Sequence, residues 1–119
     1  MSGVVPYLVR AYCDWIEDSN LTPHVLVDCE KTGAVVPEGF AKKGKIVLNI
    51  SSTATENRLI TNDSISFKGR FSGGSQKVII PCKAILSIYA QESGEGMFFD
   101  NKLETKEGEN AGPNLTILD

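Results

Sequence analysis

The sequence predicts a mainly β fold with an N-terminal α-helix, built as a strongly bent antiparallel sheet or an open barrel. Three observations predict it: an early stretch of apolar residues at helical spacing, a series of short segments of β type after it, and tight turns between those segments. The length of 119 residues suits one domain with its own core.

The helix is predicted over about residues 7–19. Pro6 suits a first helical turn, because its fixed φ is already helical. Asn20 can adopt the left-handed cap conformation, and Pro23 prevents continuation. Apolar residues form two neighbouring stripes: Leu8, Tyr12, Trp15 and Ile16, and Val5, Val9, Cys13 and Ile16. A face this wide fits either a well-buried helix or a helix shared with a partner subunit.

Short strands are predicted after the helix. They are expected at residues 24–28, 45–50, 58–61, 64–71 and 77–80, with a loop or short strand at 33–40. Within 64–71, Ile65, Phe67, Gly69 and Phe71 alternate with polar residues, which is typical of a half-buried strand. The Ser-Gly-Gly-Ser stretch at 72–75 provides the hairpin turn that follows.

The segment after Pro81 allows two interpretations, a helix through Ala90 or a single helical turn followed by a strand. We favour the second, because the glycine-containing turn at 93–96 and the apolar residues 97–99 have the form of a hairpin.

A tail is predicted to follow the domain. Residues 1–100 form the domain, and 101–119 are rich in Lys, Glu, Gly and Asn, a composition that predicts disorder. The tail nevertheless contains a small apolar cluster, Leu115, Ile117 and Leu118.

Composition argues against several classes of protein. A net charge of −3 and a pI near 5.1 do not favour nucleic-acid binding, and the basic cluster of Lys42, Lys43 and Lys45 fits a solvated turn. No stretch has the ~20 apolar residues of a membrane span, and no signal-peptide pattern is present, so we expect a cytoplasmic location. Three widely spaced cysteines indicate reduced thiols.

Catalytic chemistry has little support. The only histidine, His24, follows a helix end and lies in a predicted strand. Cys82 or Cys13 could pair with it as nucleophile and base, but no feature lowers the pKa of either thiol. No Cys-x-x-Cys pair suggests zinc, and Gly73-Gly74 lacks the rest of a phosphate loop. We therefore predict no catalytic residue, metal or cofactor, and binding is the better hypothesis.

Six blocks resemble one known family. They are Pro6-Tyr-Leu-Val-Arg-Ala-Tyr12, Leu21-Thr-Pro-His-Val-Leu-Val-Asp28, Gly44-Lys-Ile-Val-Leu-Asn-Ile50, Thr61-Asn-Asp63, Arg70-Phe71 and Ile88-Tyr-Ala-Gln-Glu-Ser-Gly94. In their order and spacing, over about residues 6–100, the chain resembles the stringent starvation protein B family of protease adaptors. The resemblance implies an Sm-like fold and a homodimer formed through the helix, with Leu8, Tyr12, Trp15 and Ile16 at the interface.

The resemblance also implies a function. Family members bind the ssrA degradation tag, which transfer-messenger RNA adds to stalled nascent chains, and deliver tagged polypeptides to the ClpXP protease. Carried over residue by residue, the groove for the extended tag falls on Phe40, Lys68, Gly69, Arg70, Phe71, Met97 and Phe98. Gly69 would permit a close backbone approach. Without the family, the aromatic residues would be interpreted as ordinary core.

This chain departs from the family's pattern at two places in the groove. Lys68-Gly69 replaces the usual Asn-Ala, and Phe98 replaces the usual Met, so the preferred tag side chains are expected to differ. In the tail, Leu115, Ile117 and Leu118 match the apolar part of a motif that docks on the ClpX unfoldase. Two alternatives remain: an Sm-like RNA-binding module, and a small hydrolase using Cys82.

Overall fold

The computed structural model describes residues 3–37, 39–71 and 73–99. In chain order the elements are α1 (Val5–Asp18), β1 (Pro23–Asp28), β2 (Lys45–Asn49), β3 (Thr55–Ile60), β4 (Ser64–Phe71), β5 (Gly74–Pro81), a 3-10 turn (Cys82–Ala84), β6 (Ile85–Ala90) and β7 (Gly96–Phe98). The described part is mostly β with one N-terminal helix, as the sequence predicts.

Helix α1 begins and ends for the reasons that its sequence indicates. Pro6 lies in the first turn, and Asn20 adopts φ 62° just beyond the C-terminal end. One predicted stripe, Val5, Val9, Cys13 and Ile16, is buried against the sheets. The helix therefore covers the core with one face, while part of its second stripe stays at the surface.

The strands form two antiparallel sheets. The first contains four strands in the order β2-β1-β6-β7, and the second contains three in the order β3-β4-β5. Pairing does not continue from one sheet to the other, so the strands do not close into a barrel. The prediction of a mainly β fold with bent antiparallel sheets is confirmed for the described strands.

The core lies between α1 and the inner faces of both sheets. β1 alternates buried and half-buried residues, and β2 alternates exposed and buried ones, so each strand directs every second side chain inward. The core side chains from the sheets include Val25, Val27, Ile46, Leu48, Ile65, Phe67, Val78, Ile80, Ile85 and Ile88. The remaining side chains of β1 and β2 face outward and are available for a site.

Most predicted segments are confirmed. Residues 64–71 form β4, and the segment after Pro81 is a short 3-10 turn followed by β6 rather than a helix. β3 and β5 each begin three residues earlier than predicted, because antiparallel pairing with β4 extends them beyond their apolar cores. The described residues within 33–40 form no strand of their own, although Val35 makes one isolated bridge to Ile79 of β5.

A polar cluster attaches α1 to the second sheet. Arg58 of β3 donates from Nη1 to the Ile50 carbonyl oxygen at 2.7 Å and pairs through Nη2 with Glu17 Oε1 at 3.3 Å. Glu17 Oε2 accepts a bond from the Ser52 backbone N–H at 2.6 Å. Burial raises the pKa of Glu17, but the Ser52 amide and the Arg58 guanidinium outweigh it and hold that pKa below its usual value.

Candidate functional site

A row of side chains crosses the outward face of the four-stranded sheet. The strand register places Leu26 of β1 between Val47 of β2 and Ser87 of β6. Ser87 in turn lies opposite Phe98 of β7. Val47 is 48% exposed and Phe98 is 80% exposed, although such positions on an antiparallel sheet are usually polar. Three of these four residues are apolar, and the buried Ser87 lies between Leu26 and Phe98. We call the four the apolar row, and they are a candidate interaction surface.

The apolar row forms the floor of two adjoining clefts. One, of about 290 Å³, is lined by Leu26, Val47 and the β6–β7 hairpin with Phe98. The other, of about 390 Å³, shares Leu26 and Val47 and extends to Phe40. Because the two clefts share these residues, they adjoin across the sheet, and we call the two together the groove. Together they have the size and apolar lining of a ligand site.

The Phe40 end of the groove is aromatic and basic. The rings of Phe40 and Phe71 pack edge to face with their centroids 5.7 Å apart, so the end of β4 in one sheet meets the loop before β2 in the other. Lys42 and Lys45 line the same cleft. This end can therefore accept an apolar side chain beside an anionic group.

The other end of the groove depends on a close approach of two strands. β7 pairs with β6 through only three residues, and Gly96 lies opposite Tyr89. A Cβ atom at Gly96 would overlap the carbonyl oxygen of Ile88 and the backbone of Tyr89, so glycine is required for this approach. The approach places Phe98 beside Ser87 in the apolar row.

Comparison with known proteins identifies the family. The sequence model of the family described as stringent starvation protein B matches residues 3–116. The chain belongs to the stringent starvation protein B family. The stringent starvation protein B homolog of Haemophilus influenzae is 48% identical over 95 residues, which cover 80% of this chain and 63% of that protein. The chain thus spans less than two thirds of the length of this curated relative.

The structure divides the groove residues that the stringent starvation protein B resemblance implies. Phe40 and Phe98 line the groove, and Phe71 contacts Phe40. Met97 also borders the β7 end, where it is 37% exposed opposite Ile88. Three of these four positions thus line the groove, and Phe71 packs against the Phe40 wall.

Lys68 and Arg70 lie elsewhere. Side chains alternate along β4, so these two project to the face opposite Phe71 and border a small, separate depression with residues 53–56 and Ser75. Their side chains do not join Phe40 and Phe98. Lys68 and Arg70 therefore face away from Phe71, because sequence neighbours on a strand face opposite ways, and their part in tag binding stays a prediction.

Gly69 shares a face with Phe67 and Phe71, as predicted, but the space above it is occupied. A Cβ atom there would lie 2.8 Å from Phe71 Cε2 and 3.3 Å from Phe67 Cε2. The expected reason for glycine, room for an approaching peptide backbone, is corrected: the missing side chain accommodates the Phe71 ring, which contacts Phe40. Gly69 thus supports the groove from behind.

Three groove residues were not expected from the sequence. Leu26, Val47 and Ser87 lie in three different strands, and none belongs to the positions carried over from the family. A signal for two of them was present, because Leu26 and Val47 are apolar at positions that alternate with core residues. All three line the first cleft, where Val47 is exposed, Leu26 is half-buried and Ser87 is buried.

The predicted dimer residues also separate. Trp15 is 44% exposed and packs edge to face on Tyr12 with ring centroids 5.9 Å apart, and Leu8 is half-buried. Ile16 is completely buried within the protomer, so it belongs to the core rather than to a subunit interface. The remaining three residues, together with exposed Val4 and Tyr7, leave one side of α1 apolar at the surface.

The cysteines show none of the activation that a nucleophile requires. Burial raises the pKa of Cys13 to about 11, against the opposing effect of Arg58. Burial likewise raises the pKa of Cys29 and of Cys82. Reactive thiols need a lowered pKa, so these environments weigh against the hydrolase alternative. His24 packs beside Tyr89, with ring centroids 6.0 Å apart, and its buried Nδ1 has no hydrogen-bond partner among the described residues.

Two further predictions concern the tail and membrane-spanning helices. The tail residues Leu115, Ile117 and Leu118 lie outside the described residues. Among the residues that are described, no helix has the length and apolar character that crossing a membrane would require.

Proposed function

We propose that this protein is a non-enzymatic adaptor that binds the ssrA degradation tag as an extended peptide and tethers tagged polypeptides to the ClpXP protease. The apolar row is the observation that supports this proposal most directly. Its apolar members Val47, Leu26 and Phe98 line the groove, and family membership supplies the class of function.

The dimensions of the groove suit a short extended peptide. Four neighbouring strands span about 14 Å, a distance that roughly four residues of extended chain cover. Alternate side chains of such a peptide would point to the sheet, where Phe98, Leu26, Val47 and Phe40 offer apolar contacts. We assign Phe98 and Phe40 as the main walls, because exposed aromatic side chains provide most of the apolar area.

Tethering explains how binding would promote proteolysis without a chemical step. An adaptor that holds a substrate and the unfoldase together replaces a dilute encounter with a high effective concentration. We propose that residues 1–100 hold the tag and form a homodimer through α1. In this proposal residues 101–119 contact ClpX through Leu115, Ile117 and Leu118.

A titration with a fluorescent ssrA-tag peptide tests the binding proposal. Phe98→Ala should weaken binding at least tenfold, since removing a buried contact of this size removes roughly 1.4 kcal/mol or more of binding free energy. Leu59→Ala is the control, because Leu59 is also an exposed apolar residue (58%), but it lies on the other sheet, outside the lining of either cleft. Equal affinity of the Phe98→Ala and Leu59→Ala proteins would contradict the proposal.

Two companion assays complete the test. Filter binding with single-stranded RNA examines the Sm-like alternative, which RNA binding in the absence of tag binding would favour. The degradation rate of a tagged substrate by ClpXP, measured with and without this protein, examines delivery. Acceleration that disappears with Phe98→Ala is the expected result.

A further inference from the structure

β7 has little stability of its own, although it holds one wall of the groove. The strand contains three residues, pairs with β6 and forms the outer edge of the four-stranded sheet. A hairpin this short is marginal without further contacts, and short edge segments open locally more easily than central strands. The position of Phe98 therefore depends on whatever holds the turn between β6 and β7.

The turn is tied to the residue before β1. Thr22 accepts a bond from the Gln91 N–H through its carbonyl oxygen at 2.9 Å. Glu92 then accepts two bonds from the same residue: from the Thr22 N–H to Oε1 at 2.8 Å, and from the Thr22 hydroxyl to Oε2 at 2.6 Å. One threonine thus holds the turn at three points.

The chemistry of this contact needs a carboxylate. Each oxygen of Glu92 accepts one of two donors on Thr22, and hydrogen bonds to an ionised acceptor are shorter and stronger than those between neutral groups. Thr22 lies just before β1, which begins at Pro23, and its backbone N–H bonds to Glu92 rather than to a neighbouring strand. The bonds from Thr22 also lower the pKa of Glu92, which keeps it ionised at neutral pH.

We propose that Glu92 and Thr22 are a positioning pair for the groove. They hold the β6–β7 turn against the start of β1, and so keep Phe98 opposite Ser87 in the apolar row, without touching the bound peptide. Neither residue lines the clefts. The proposal rests on the peptide-binding function proposed above.

The test combines three variants with a matched control. Glu92→Ala removes both acceptors, Thr22→Val removes only the hydroxyl donor, and Thr22→Ser retains it. Glu95→Ala removes an exposed carboxylate from the same turn, but one whose described side-chain contact is to Ser93 within the turn. We expect tag-peptide affinity to fall roughly three- to tenfold with Glu92→Ala and less with Thr22→Val, and to be unchanged with Thr22→Ser and Glu95→Ala.

Hydrogen exchange of the peptide-free protein supplies a readout that does not depend on binding. The Phe99 N–H, just after β7, donates to the Leu86 carbonyl oxygen of β6. The Ile79 N–H of β5, in the other sheet, donates to the Val35 carbonyl oxygen. Glu92→Ala should accelerate exchange at Phe99 and leave Ile79 and the thermal midpoint nearly unchanged.

The outcomes separate the two proposals. Unchanged exchange at Phe99 in Glu92→Ala, or equal affinity in Glu92→Ala and the parent, would overturn the positioning role. Faster hydrogen exchange at both the Phe99 and the Ile79 amides, together with a lowered thermal midpoint, would overturn it as well. The contact would then stabilise the whole fold. A parent protein that binds no tag peptide would refute the proposed function, while the exchange result would still decide whether the pair holds β7.

Discussion

At the residue scale, Gly69 connects the second sheet to the groove. Its missing side chain leaves space for the Phe71 ring, and that ring packs on Phe40. A residue with a Cβ atom must displace Phe71, and the contact with Phe40 changes with it.

We expect Gly69→Gln to weaken tag-peptide binding at least tenfold, because it disturbs the Phe40 wall. The crowding also predicts a loss of about 1–3 kcal/mol of stability. Peptide titration and thermal melts measure the two effects.

Gly74→Gln is the control for this change. Gly74 lies in β5 without positive φ, and the nearest atom to its added Cβ, the Phe71 carbonyl oxygen, is 4.0 Å away. Its stability and affinity should resemble those of the parent. Equal behaviour of the two glutamine variants would show that Phe71 does not depend on Gly69.

Glu17 makes stability depend on pH. Its pKa is lowered in the folded protein, so its ionised form favours folding. This contribution to stability is complete above the pKa of the unfolded chain, and it is lost as the pH falls through the lower pKa of the folded protein. We expect Glu17→Gln to lower the free energy of unfolding by roughly 1–3 kcal/mol at neutral pH, because the Ser52 amide and Arg58 lose a charged acceptor.

Denaturant titrations at pH 7 and pH 3.5 measure this difference. The gap in stability between the parent and Glu17→Gln should narrow at pH 3.5. Glu56→Gln, at an exposed position on β3, is the matched control and should change stability little at either pH. A gap that stays constant with pH would contradict the assignment.

At the element scale, β7 shows how a three-residue strand can complete a site. Gly96 allows its backbone to approach Tyr89 more closely than any other residue would, and the turn is held to Thr22. We expect Gly96→Ala to separate β7 from β6 and to abolish measurable tag binding, because Phe98 then leaves the apolar row.

Exchange at the Phe99 amide, together with peptide titration, checks this expectation. Gly74→Ala serves as control, since its added Cβ has space. A Gly96→Ala protein that protects the Phe99 amide and binds the peptide like the parent would show that the close approach is unnecessary.

At the scale of the whole molecule, α1 presents apolar side chains on two sides. One side covers the core, whereas Val4, Tyr7 and Trp15 are 58%, 53% and 44% exposed. Exposed apolar surface of this kind is typical of a subunit interface. We therefore expect the parent to sediment at twice the 12.9 kDa of one chain at micromolar concentration.

Trp15→Glu should convert the dimer into a monomer, because it would bury an unpaired charge in the interface. Sedimentation velocity measures the change. Leu59→Glu places the same charge at an exposed apolar position of β3 and should leave the dimer intact. A monomeric parent, or a dimeric Trp15→Glu protein, would refute an interface through α1.

Local patterns were sufficient for much of the fold. The alternation in residues 64–71 predicted β4, Asn20 and Pro23 predicted the end of α1, and the turn before Met97 predicted the last hairpin. These features depend on residues close together in sequence, and their conformational preferences do not require contacts with distant parts of the chain. The family resemblance, rather than a local pattern, predicted that Phe40 and Phe98 belong to the groove.

Tertiary structure alone decided how distant residues meet. The apolar row joins residues 26, 47, 87 and 98, and their alignment is set by the pairing register of four strands. Packing of the helix placed Ile16 in the core and Trp15 at the surface, although both lie in the same predicted stripe. Register and packing follow from the combined burial of many side chains across the whole domain, so no single segment of sequence contains them.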